Sequence, residues 1–519
     1  MEIIDDKALV FKTRNPEKYS IIPKHKIIDK EGDTYKVAVY WGLDESRVLK
    51  NLGVKDIQSP ITRRYKWPGR YKPMAHQIET ASFLTMHKKA FCFNDPGTGK
   101  TLAALWAADY LMTLGFVRRV LILCPLSIMQ SAWLSDLNNS IIHRSAIVAH
   151  HPKASRRIEM IQQDYDFVIC NYDGLNLIAD EIKNDGRFDL VIVDEANAYK
   201  TSTTKRWKTL KSIIGPQTHL WMMTGTPASQ SPADAFGLAR LVNPDGVPMF
   251  FTGWRDAVMN KITMYKWAPR PDAKDKVFNA LQPAIRYSKD QCLDLPPVMT
   301  LTREVPLTPQ QTKYYNLLKE QMLVQAAGET ITAVNAAASL SKLLQISCGA
   351  AYTDAKEVVE FDSAPRLGVL EEILEETQRK VIIFALFRST IDTIQTHLSS
   401  KGIANECIHG GVTANKRADI IHRFQTDAEP RVLVMQPQAT AHGITLTAAD
   451  TVVFYGPLMS VEQYIQAIAR ADRKGQSSDK VTVIHIQGSP VEKKMFKALS
   501  AKVSDNTLLT EMFALEINS

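Results

Sequence analysis

Two series of short apolar runs constrain the fold of this chain more than any other feature. The first series is Val120–Cys124, Phe167–Cys170, Leu190–Val193 and Leu220–Met223. The second series is Val381–Phe384, Arg431–Met435, Thr451–Tyr455 and Val481–Ile486. Short runs without polar alternation are typical of parallel strands that are covered by helices on both faces of a sheet. The sequence therefore predicts an α/β protein with two parallel-sheet lobes.

The rest of the chain divides around these two lobes. Residues 1–68 are predicted to form a small α+β or β accessory module, a candidate DNA-binding unit, since Thr34–Trp41 alternates like a half-buried strand. A basic linker is expected over Ile61–Arg70. The first lobe is placed at 69–240 and the second lobe, with a C-terminal helical segment, at 366–519. Helix-rich sequence such as Val334–Gln345 predicts helical insertions and a linker over 241–365.

A candidate phosphate-binding loop opens the first lobe. The run Phe91–Thr101 is typical of a strand, a glycine-containing turn and a helix that begins at Lys100. Backbone N–H groups in such a loop cradle phosphates, the lysine adds charge, and the Thr101 hydroxyl can bind Mg²⁺. The loop residues proposed to contact nucleotide are Pro96, Gly97, Thr98, Gly99, Lys100 and Thr101. Asn94 stands where the strict pattern has glycine, and an ordinary strand-to-helix turn is the alternative.

Other polar groups are predicted at the same sheet edge, where open parallel sheets bind their ligands. Asp194 and Glu195 directly follow an apolar strand, and they suit magnesium binding and orientation of an attacking water. Thr224–Pro227 follows the next strand and is either a γ-phosphate sensor or an ordinary turn. Gln77 carries an amide that can read an adenine edge, although a plain surface position is the alternative. A solvated acidic turn is the alternative for the Asp-Glu pair.

Arginines in the second lobe form a candidate partner for a triphosphate. Ser460 begins a capping-box pattern, which predicts a helix start. On that helix Gln463, Gln466, Arg470 and Arg473 are expected to share one face. Arginine is permanently charged and binds phosphate bidentately, so this face suits transition-state charge, whereas a solvated basic face is the alternative.

Composition narrows the class of protein. The 519 residues carry a net charge of +8, which is compatible with a polyanionic partner. No apolar run approaches the length of a membrane span and the N-terminus lacks a secretory pattern, so we expect a cytoplasmic protein without membrane contact. The six cysteines have neither zinc-site nor disulfide spacing.

The ordered motifs resemble superfamily 2 helicase-like ATPases, and specifically the SNF2 (Swi2/Snf2) family of double-stranded DNA translocases. The resemblance covers about residues 70–500. Its segments are Asn94–Thr101 (motif I), Leu123–Ser127 (Ia), Val193–Asn197 (II), Met223–Pro227 (III), Gln436–Asp450 (V) and Gln466–Gln476 (VI). Gly443 lies within the motif V segment and is carried over as a nucleotide-site residue.

This resemblance implies two RecA-like lobes with SNF2-type helical insertions, in a minimal, bacterial or phage-type member. It implies a monomeric, DNA-stimulated ATPase that uses ATP and Mg²⁺ and grips double-stranded DNA by its backbone, without sequence preference. Lys100, Asp194, Glu195, Arg470 and Arg473 would be catalytic, with Thr101 and Asp194 on the metal. DNA repair, recombination or replication-fork processing is the expected setting.

Two departures and two rival functions accompany this interpretation. Asn197 stands where the family usually has histidine, and Gln436-Pro437 replaces a Ser-Thr pair that contacts the DNA backbone elsewhere. A strand-separating DNA or RNA helicase would use the same motifs. A non-catalytic DNA-binding scaffold is the second alternative, and the intact set of catalytic side chains argues against it.

Overall fold

The computed structural model describes residues 1–225, 227–228, 231–263, 267–292, 298–328, 333–353, 357–377, 379–440, 444–473, 476, 478 and 480–501. The strands are β1 (Glu2–Ile4), β2 (Ala8–Thr13), β3 (His25–Glu31), β4 (Thr34–Tyr40), β5 (Lys89–Cys92), β6 (Arg119–Cys124), β7 (Ala146–Val148), β8 (Phe167–Asn171), β9 (Phe188–Val193), β10 (His219–Met223), β11 (Met259–Lys261), β12 (Trp267–Pro269), β13 (Ala284–Ile285), β14 (Val298–Glu304), β15 (Ala350–Tyr352), β16 (Val358–Glu360), β17 (Lys380–Phe384), β18 (Asn405–Ile408), β19 (Val432–Met435), β20 (Ala449–Phe454) and β21 (Val481–Gln487). The α-helices are α1 (Leu43–Asn51), α2 (Ile61–Arg64), α3 (Ala75–Thr85), α4 (Lys100–Thr113), α5 (Ser135–Ser140), α6 (Ala154–Gln162), α7 (Leu175–Asp185), α8 (Lys205–Ile213), α9 (Ala235–Val242), α10 (Phe251–Val258), α11 (Ala273–Ala280), α12 (Lys289–Cys292), α13 (Pro309–Gly328), α14 (Ala333–Ser347), α15 (Ala364–Glu376), α16 (Arg388–Ser400), α17 (Ala414–Thr426), α18 (Val461–Ile468) and α19 (Pro490–Ser500).

The chain divides into two compact units. The first unit holds Met1–Pro227, Asp234–Trp254 and Lys274–Cys292. The second unit holds Ala228–Ala233, Arg255–Ala273 and Leu293–Ser519. Each unit contains one large parallel sheet, so the predicted α/β fold with two parallel-sheet lobes is confirmed.

The sheet of the first unit positions the predicted phosphate site. Its seven strands are parallel and lie in the order β13-β5-β10-β9-β6-β8-β7. Every residue of β6 is buried, as the uninterrupted apolar run predicts. Because β5, β10 and β9 are neighbours and parallel, the residues that follow Cys92, Met223 and Val193 meet at one edge of the sheet.

The second unit repeats this arrangement with a different helical layer. Its six parallel strands lie in the order β14-β21-β20-β17-β19-β18. The predicted helical insertions are present as α13 and α14, and Tyr315, Leu340 and Leu344 pack in one cluster with Val491 and Met495 of α19.

Both large sheets also recruit a short strand from the segment between the lobes. The two-residue strand β13 pairs with β5 in the first sheet, and β14 pairs with β21 in the second. Neither strand stands out in the sequence, because β13 is only two residues long and all but one residue of β14 are exposed.

The N-terminal residues form the expected α+β module. An antiparallel sheet of order β1-β2-β4-β3 packs with α1 around a small core that includes Leu9, Val37, Trp41 and Leu49. The alternating strand predicted at Thr34–Trp41 is observed as β4.

The prediction of a basic linker over Ile61–Arg70 is wrong. Ile61 is fully buried, and the Trp67 ring packs edge-on against Trp106 of α4 with 5.6 Å between ring centroids. The Tyr65 hydroxyl donates to Asp109 at 2.6 Å. These aromatic side chains bind the segment to α4, and a sequence pattern dominated by its arginines conceals that packing.

Two general findings concern the whole described chain. Among the described helices, none combines the length and the apolarity needed to cross a membrane. All six cysteines are free thiols, and four of them are buried.

Candidate nucleotide site

The predicted phosphate loop has the backbone shape that its glycines permit. It connects the buried strand β5 to α4, which begins at Lys100. Gly97 and Gly99 adopt φ values of +89° and +78°, in the left-handed region that favours glycine. A Cβ added at Gly99 would lie 2.1 Å from the Gln77 amide nitrogen. The backbone conformation therefore favours glycine there, and a larger residue would also displace the Gln77 amide.

Helix α3 braces this loop from one side. The ring Nε2 of His76 lies 2.7 Å from the Thr98 carbonyl, and the Gln77 amide donates to the Gly99 carbonyl at 3.3 Å. The Gln77 carbonyl oxygen accepts from the Met74 N–H at 2.9 Å. Gln77 is buried with both ends of its amide engaged, so an adenine contact by this side chain requires an exchange of hydrogen bonds.

Asn94, the residue that departs from the strict motif, has a structural role. Its side chain is buried and donates to the Thr80 hydroxyl at 2.9 Å, while its oxygen accepts from the Tyr287 N–H at 3.0 Å. The main-chain N–H of Asp95 donates to the Tyr287 carbonyl at 2.9 Å. A side chain at this position thus ties the loop to α3 and to the segment after β13, which glycine cannot do.

Lys100 points back into the loop that precedes it. Its amine donates to the Asn94 carbonyl at 2.8 Å and to the Asp95 carbonyl at 3.3 Å. Thr101 is half-buried at the second position of α4. Backbone amides, a lysine amine and a hydroxyl consequently meet at the start of one helix, which is the chemistry a phosphate group requires.

The carboxylate of Asp194 is held by donors on both of its oxygens. Trp133 donates from its indole N–H to Oδ2 at 3.0 Å, and the Glu195 main-chain N–H donates to Oδ1 at 3.0 Å. Burial raises the pKa of Asp194, and the nearby Lys100 charge acts in the opposite direction. A cation beside this carboxylate would favour the ionised form in the same way that Lys100 does.

Glu195 occupies a strained turn after β9. Its φ of +46° is uncommon for a residue that has a Cβ, and such strain is concentrated at functional positions. The Tyr172 hydroxyl donates to the Asp194 carbonyl at 2.6 Å and fixes the backbone just before this turn. Burial raises the pKa of Tyr172 far above its ordinary value, so the hydroxyl remains a donor.

The turn after β10 touches the phosphate loop. A Cβ added at Gly225 would lie 2.7 Å from Cδ of Pro96, so the two backbones can approach only because residue 225 is glycine. Thr224 is buried and its N–H donates to the Cys92 carbonyl at 3.0 Å. Thr226 lies outside the described residues.

The arginine segment of the second unit differs from the prediction. Ser460 caps a helix as expected, accepting from the Gln463 N–H at 3.4 Å, but α18 ends at Ile468. Arg470 and Arg473 therefore do not continue the helical face of Gln463 and Gln466, and the predicted four-residue stripe is wrong.

The reason is a main-chain contact with a distant segment. The Leu446 N–H donates to the Arg470 carbonyl at 2.9 Å, and the Arg470 guanidinium donates to the Ile444 carbonyl at 3.4 Å. Arg473 donates to the Thr445 hydroxyl at 3.1 Å. These bonds fold the arginines onto residues 444–446. Gly443, also predicted as a site residue, lies outside the described residues.

Gln436, another departure from the resembled pattern, connects two loops of the second unit. Its amide donates to the Leu386 carbonyl at 3.3 Å, and its oxygen accepts from the Gly410 N–H at 3.4 Å. Both loops follow parallel strands. The Gln436 amide therefore links two strand ends.

Sequence reasoning missed the two aromatic donors to Asp194. Trp133 and Tyr172 stand 61 and 22 residues before it, and neither side chain belongs to a motif that signals metal or phosphate chemistry. One signal was present in the order of the strands. Trp133 comes after β6, which pairs with β9, and Tyr172 directly follows β8, which pairs with β6.

The residues of the first unit fit a nucleoside triphosphate with magnesium. The loop has the left-handed glycines that a phosphate cradle needs. Thr101 and Asp194 supply the oxygen donors that Mg²⁺ prefers, and Mg²⁺ commonly completes its shell with phosphate and water. Within the described residues, His, Cys, Asp and Glu nowhere gather in threes around a metal-sized space.

The models of two known domain families match the sequence of this chain. The model of the SNF2-related domain matches residues 76–349, and the model of the helicase conserved C-terminal domain matches residues 365–475.

Relatives are similar to much of this chain. A "SWI/SNF-related matrix-associated actin-dependent regulator of chromatin subfamily A-like protein 1 homolog" from Caenorhabditis elegans is 25% identical over 437 residues, covering 80% of this chain and 60% of the relative. Chromodomain-helicase-DNA-binding protein 8 from Danio rerio is 26% identical over 490 residues, covering 84% of this chain and 19% of the relative. This chain thus spans three fifths of the first relative and a fifth of the second.

A solved structure was also found. The Sulfolobus solfataricus SWI2/SNF2 ATPase core in complex with dsDNA is 19% identical, with a TM-score of 0.42, covering 87% of this chain and 96% of that one.

Proposed function

Because the chain belongs to the SNF2-related family of helicase-like ATPases, we propose that it couples ATP hydrolysis to movement along double-stranded DNA. One observation carries the proposal. The braced phosphate loop lies at the same sheet edge as Asp194 and Glu195, in a chain that also carries the family's paired arginines.

The chain's own residues divide the chemistry of hydrolysis among them. Lys100 and the N–H groups of the loop hold the phosphates, while Thr101 and Asp194 hold Mg²⁺, which neutralises charge on the phosphate oxygens when bound. Glu195 orients the attacking water from its fixed turn. The phosphate cradle is formed by Pro96, Gly97, Thr98 and Gly99. Gln77 stabilises the loop through its hydrogen bond to the Gly99 carbonyl.

Arg470 and Arg473 are proposed to stabilise the charge that develops on the transferred phosphoryl group. Arginines in this role contribute about 10³–10⁵ in rate in other nucleotide hydrolases. Their guanidinium groups already lie against residues 444–446, a segment that resembles motif V. We therefore propose that residues 444–446 move together with the arginines as one element.

DNA is the proposed polymer. The Danio rerio relative is named as a DNA-binding protein, and the present chain carries a net charge of +8. Contacts to phosphates, rather than base edges, would give binding that tolerates any sequence and weakens with salt. We propose that the protein acts as a monomer; its place in DNA repair, recombination or fork processing and its cytoplasmic, bacterial or phage setting stay predictions.

The N-terminal module is proposed as an additional DNA contact. Lys12 and Lys36 stand opposite each other on β2 and β4, where Lys12 pairs with Glu31 at 2.6 Å and Lys36 stands opposite Asp29 of β3. Lys26 pairs with Ala38 on the same face, and Lys24 lies over the Tyr40 ring at 4.6 Å. This face offers cations and an aromatic surface to a phosphate backbone.

The experiment is an ATPase assay with single-stranded DNA, duplex DNA, forked DNA and RNA as separate ligands. We expect duplex DNA to stimulate hydrolysis most and Glu195→Gln to abolish the stimulated rate while DNA binding persists. A folded protein whose hydrolysis no nucleic acid stimulates, or a Glu195→Gln variant as active as the wild type, would contradict the proposal. Replacing Glu159, an exposed residue on α6, by Gln is the matched control.

A further inference from the structure

We propose that Trp133 is a positioning residue that fixes the Asp194 carboxylate through its indole N–H and thereby sets the magnesium affinity of the nucleotide site. This inference rests on the proposed function. Trp133 is fully buried, and its Nε1 donates to Asp194 Oδ2 at 3.0 Å. With the Glu195 N–H on Oδ1, both carboxylate oxygens have a defined donor and the group cannot rotate freely.

The position of Trp133 along the chain favours this role. The chain leaves β6 beside the Asp194 strand, since the Asp194 N–H donates to the Leu123 carbonyl at 2.9 Å. It then forms a short 3₁₀ turn at Leu126–Ile128, a π-helical turn at Met129–Leu134, and α5. π-Helical turns are rare and frequently occur at functional sites. The helix is therefore irregular at the turn that carries Trp133, where the indole contacts Asp194.

Other buried tryptophans show what a purely structural indole does here. Trp106 donates to the Pro68 carbonyl at 3.2 Å, and Trp221 donates to the His87 carbonyl at 3.2 Å. Both satisfy a buried N–H with a neutral main-chain acceptor, which is the ordinary requirement of a buried indole. Trp133 donates instead to a carboxylate, and hydrogen bonds to a charged acceptor are stronger and more directional.

The size of the effect follows from the general behaviour of metal sites. Groups that hydrogen-bond to a metal ligand orient it, and their removal typically costs about 10–100-fold in metal affinity or activity. Asp194 is the one carboxylate proposed to bind the metal, so the loss of its indole partner should lower the affinity for Mg²⁺. The phosphate loop and Lys100, whose amine donates to the Asn94 carbonyl at 2.8 Å, are proposed to hold the nucleotide without help from Trp133. Binding of nucleotide without metal should accordingly be insensitive to Trp133.

The test measures ADP binding at increasing Mg²⁺ and in EDTA, without any turnover. For Trp133→Phe we expect the Mg²⁺ concentration that gives half of the metal-dependent tightening to rise about tenfold. ADP affinity in EDTA should stay that of the wild type. Trp106→Phe is the matched control, since it removes a buried indole N–H from the same core cluster, and its magnesium dependence should be unchanged.

A second variant guards against loss of packing. Benzothienylalanine at position 133 keeps the ring volume and replaces only the N–H, so it should show the same tenfold shift in a folded protein. An unchanged magnesium dependence in either folded variant overturns the role of Trp133 while the wild type still binds Mg-ADP. A wild type whose ADP binding ignores magnesium overturns the inference and the proposed function together.

Discussion

The phosphate loop of the first unit and the arginine segment of the second are held in different ways. The loop is braced by side chains of packed elements: His76 and Gln77 from α3, and Asn94 across to the backbone of Tyr287. The arginine segment follows the end of α18 and is held by bonds to residues 444–446. The phosphate loop is therefore held by neighbouring packed elements, whereas the arginine segment is held by one other loop, residues 444–446.

This difference assigns separate tasks to the two regions. Because Gly97 and Gly99 already adopt left-handed conformations, the backbone at these positions is preorganised for phosphates, which favours tight nucleotide binding. A turn held to a neighbouring segment can shift together with it. We infer that the loop determines affinity, whereas the arginines determine the rate of the chemical step.

The largest expected effect is that of an arginine substitution on the ATPase rate. Arg470→Ala should lower the DNA-stimulated ATPase rate by about 10³–10⁵ while ATP affinity changes little. Steady-state kinetics with a separate ATP-binding titration measure both quantities. Arg303→Ala removes an arginine from an exposed pair with Glu376 and should leave the rate unchanged. A large loss of ATP affinity in Arg470→Ala would break the proposed division of tasks.

Acid should destabilise both units, because burial favours the neutral form of His87 and His219 in the first and of His485 in the second. Burial lowers the pKa of His219 in the first unit and of His485 in the second to about 4. Such a histidine binds its proton more readily when unfolded, so the stability it contributes is present above pH ~6.5 and is lost as the pH falls toward ~4.

Urea unfolding between pH 7 and 4 measures this dependence. Each histidine should contribute a loss of roughly 3 kcal/mol in unfolding free energy by pH 4. In His485→Gln the slope across that window should become shallower. A slope unchanged by the substitution would show that His485 does not titrate as its burial implies.

In the phosphate loop, replacing Asn94 by the glycine of the strict motif should lower the affinity for ATP. Asn94→Gly would leave the buried Thr80 hydroxyl and Tyr287 N–H without their side-chain partner, which costs about 1–3 kcal/mol. We expect ATP affinity to fall about tenfold, measured by titration. Asn94→Asp keeps the acceptor for Tyr287 but buries a negative charge beside the proposed phosphate site, so it should also lose affinity. Tighter binding in Asn94→Gly would show that the brace is dispensable.

The smallest expected effect concerns the turn at Glu195. Tyr172→Phe removes the bond to the Asp194 carbonyl and should lower the ATPase rate by a few-fold, about 1 kcal/mol, with magnesium dependence intact. Tyr199→Phe is a close control, since that ring lies 5.5 Å from Tyr172 and its buried hydroxyl has no hydrogen-bond partner among the described residues. Equal effects of the two substitutions would remove the special role of Tyr172.

The same comparison shows what the sequence can predict. Parallel strands were predictable because Val120–Cys124 of β6, Leu190–Val193 of β9 and all of β19 are continuous apolar runs, and the phosphate loop because its glycines and lysine have fixed spacing. Both signals are local. The arginine stripe was wrong because α18 ends early, a consequence of the bond between Leu446 and Arg470.

Long-range packing accounts for the other differences. The segment 61–70 looked like a linker because its arginines are visible in the sequence, whereas the edge-on packing of Trp67 against Trp106 is not. Trp133 was missed for the same reason, since no pattern tells which acceptor a buried indole will find 61 residues away. A strand of two residues, such as β13, carries too little sequence to be predicted.

The central claim is ATP-driven movement along duplex DNA without strand separation, and triplex displacement tests it most directly. The wild-type protein is incubated with ATP and either a duplex that carries a labelled third strand or a labelled forked duplex. We predict that the third strand is released, that the forked duplex stays paired, and that Glu195→Gln does neither. Separation of the forked duplex, or hydrolysis stimulated by duplex DNA with no release of the third strand, would contradict the account.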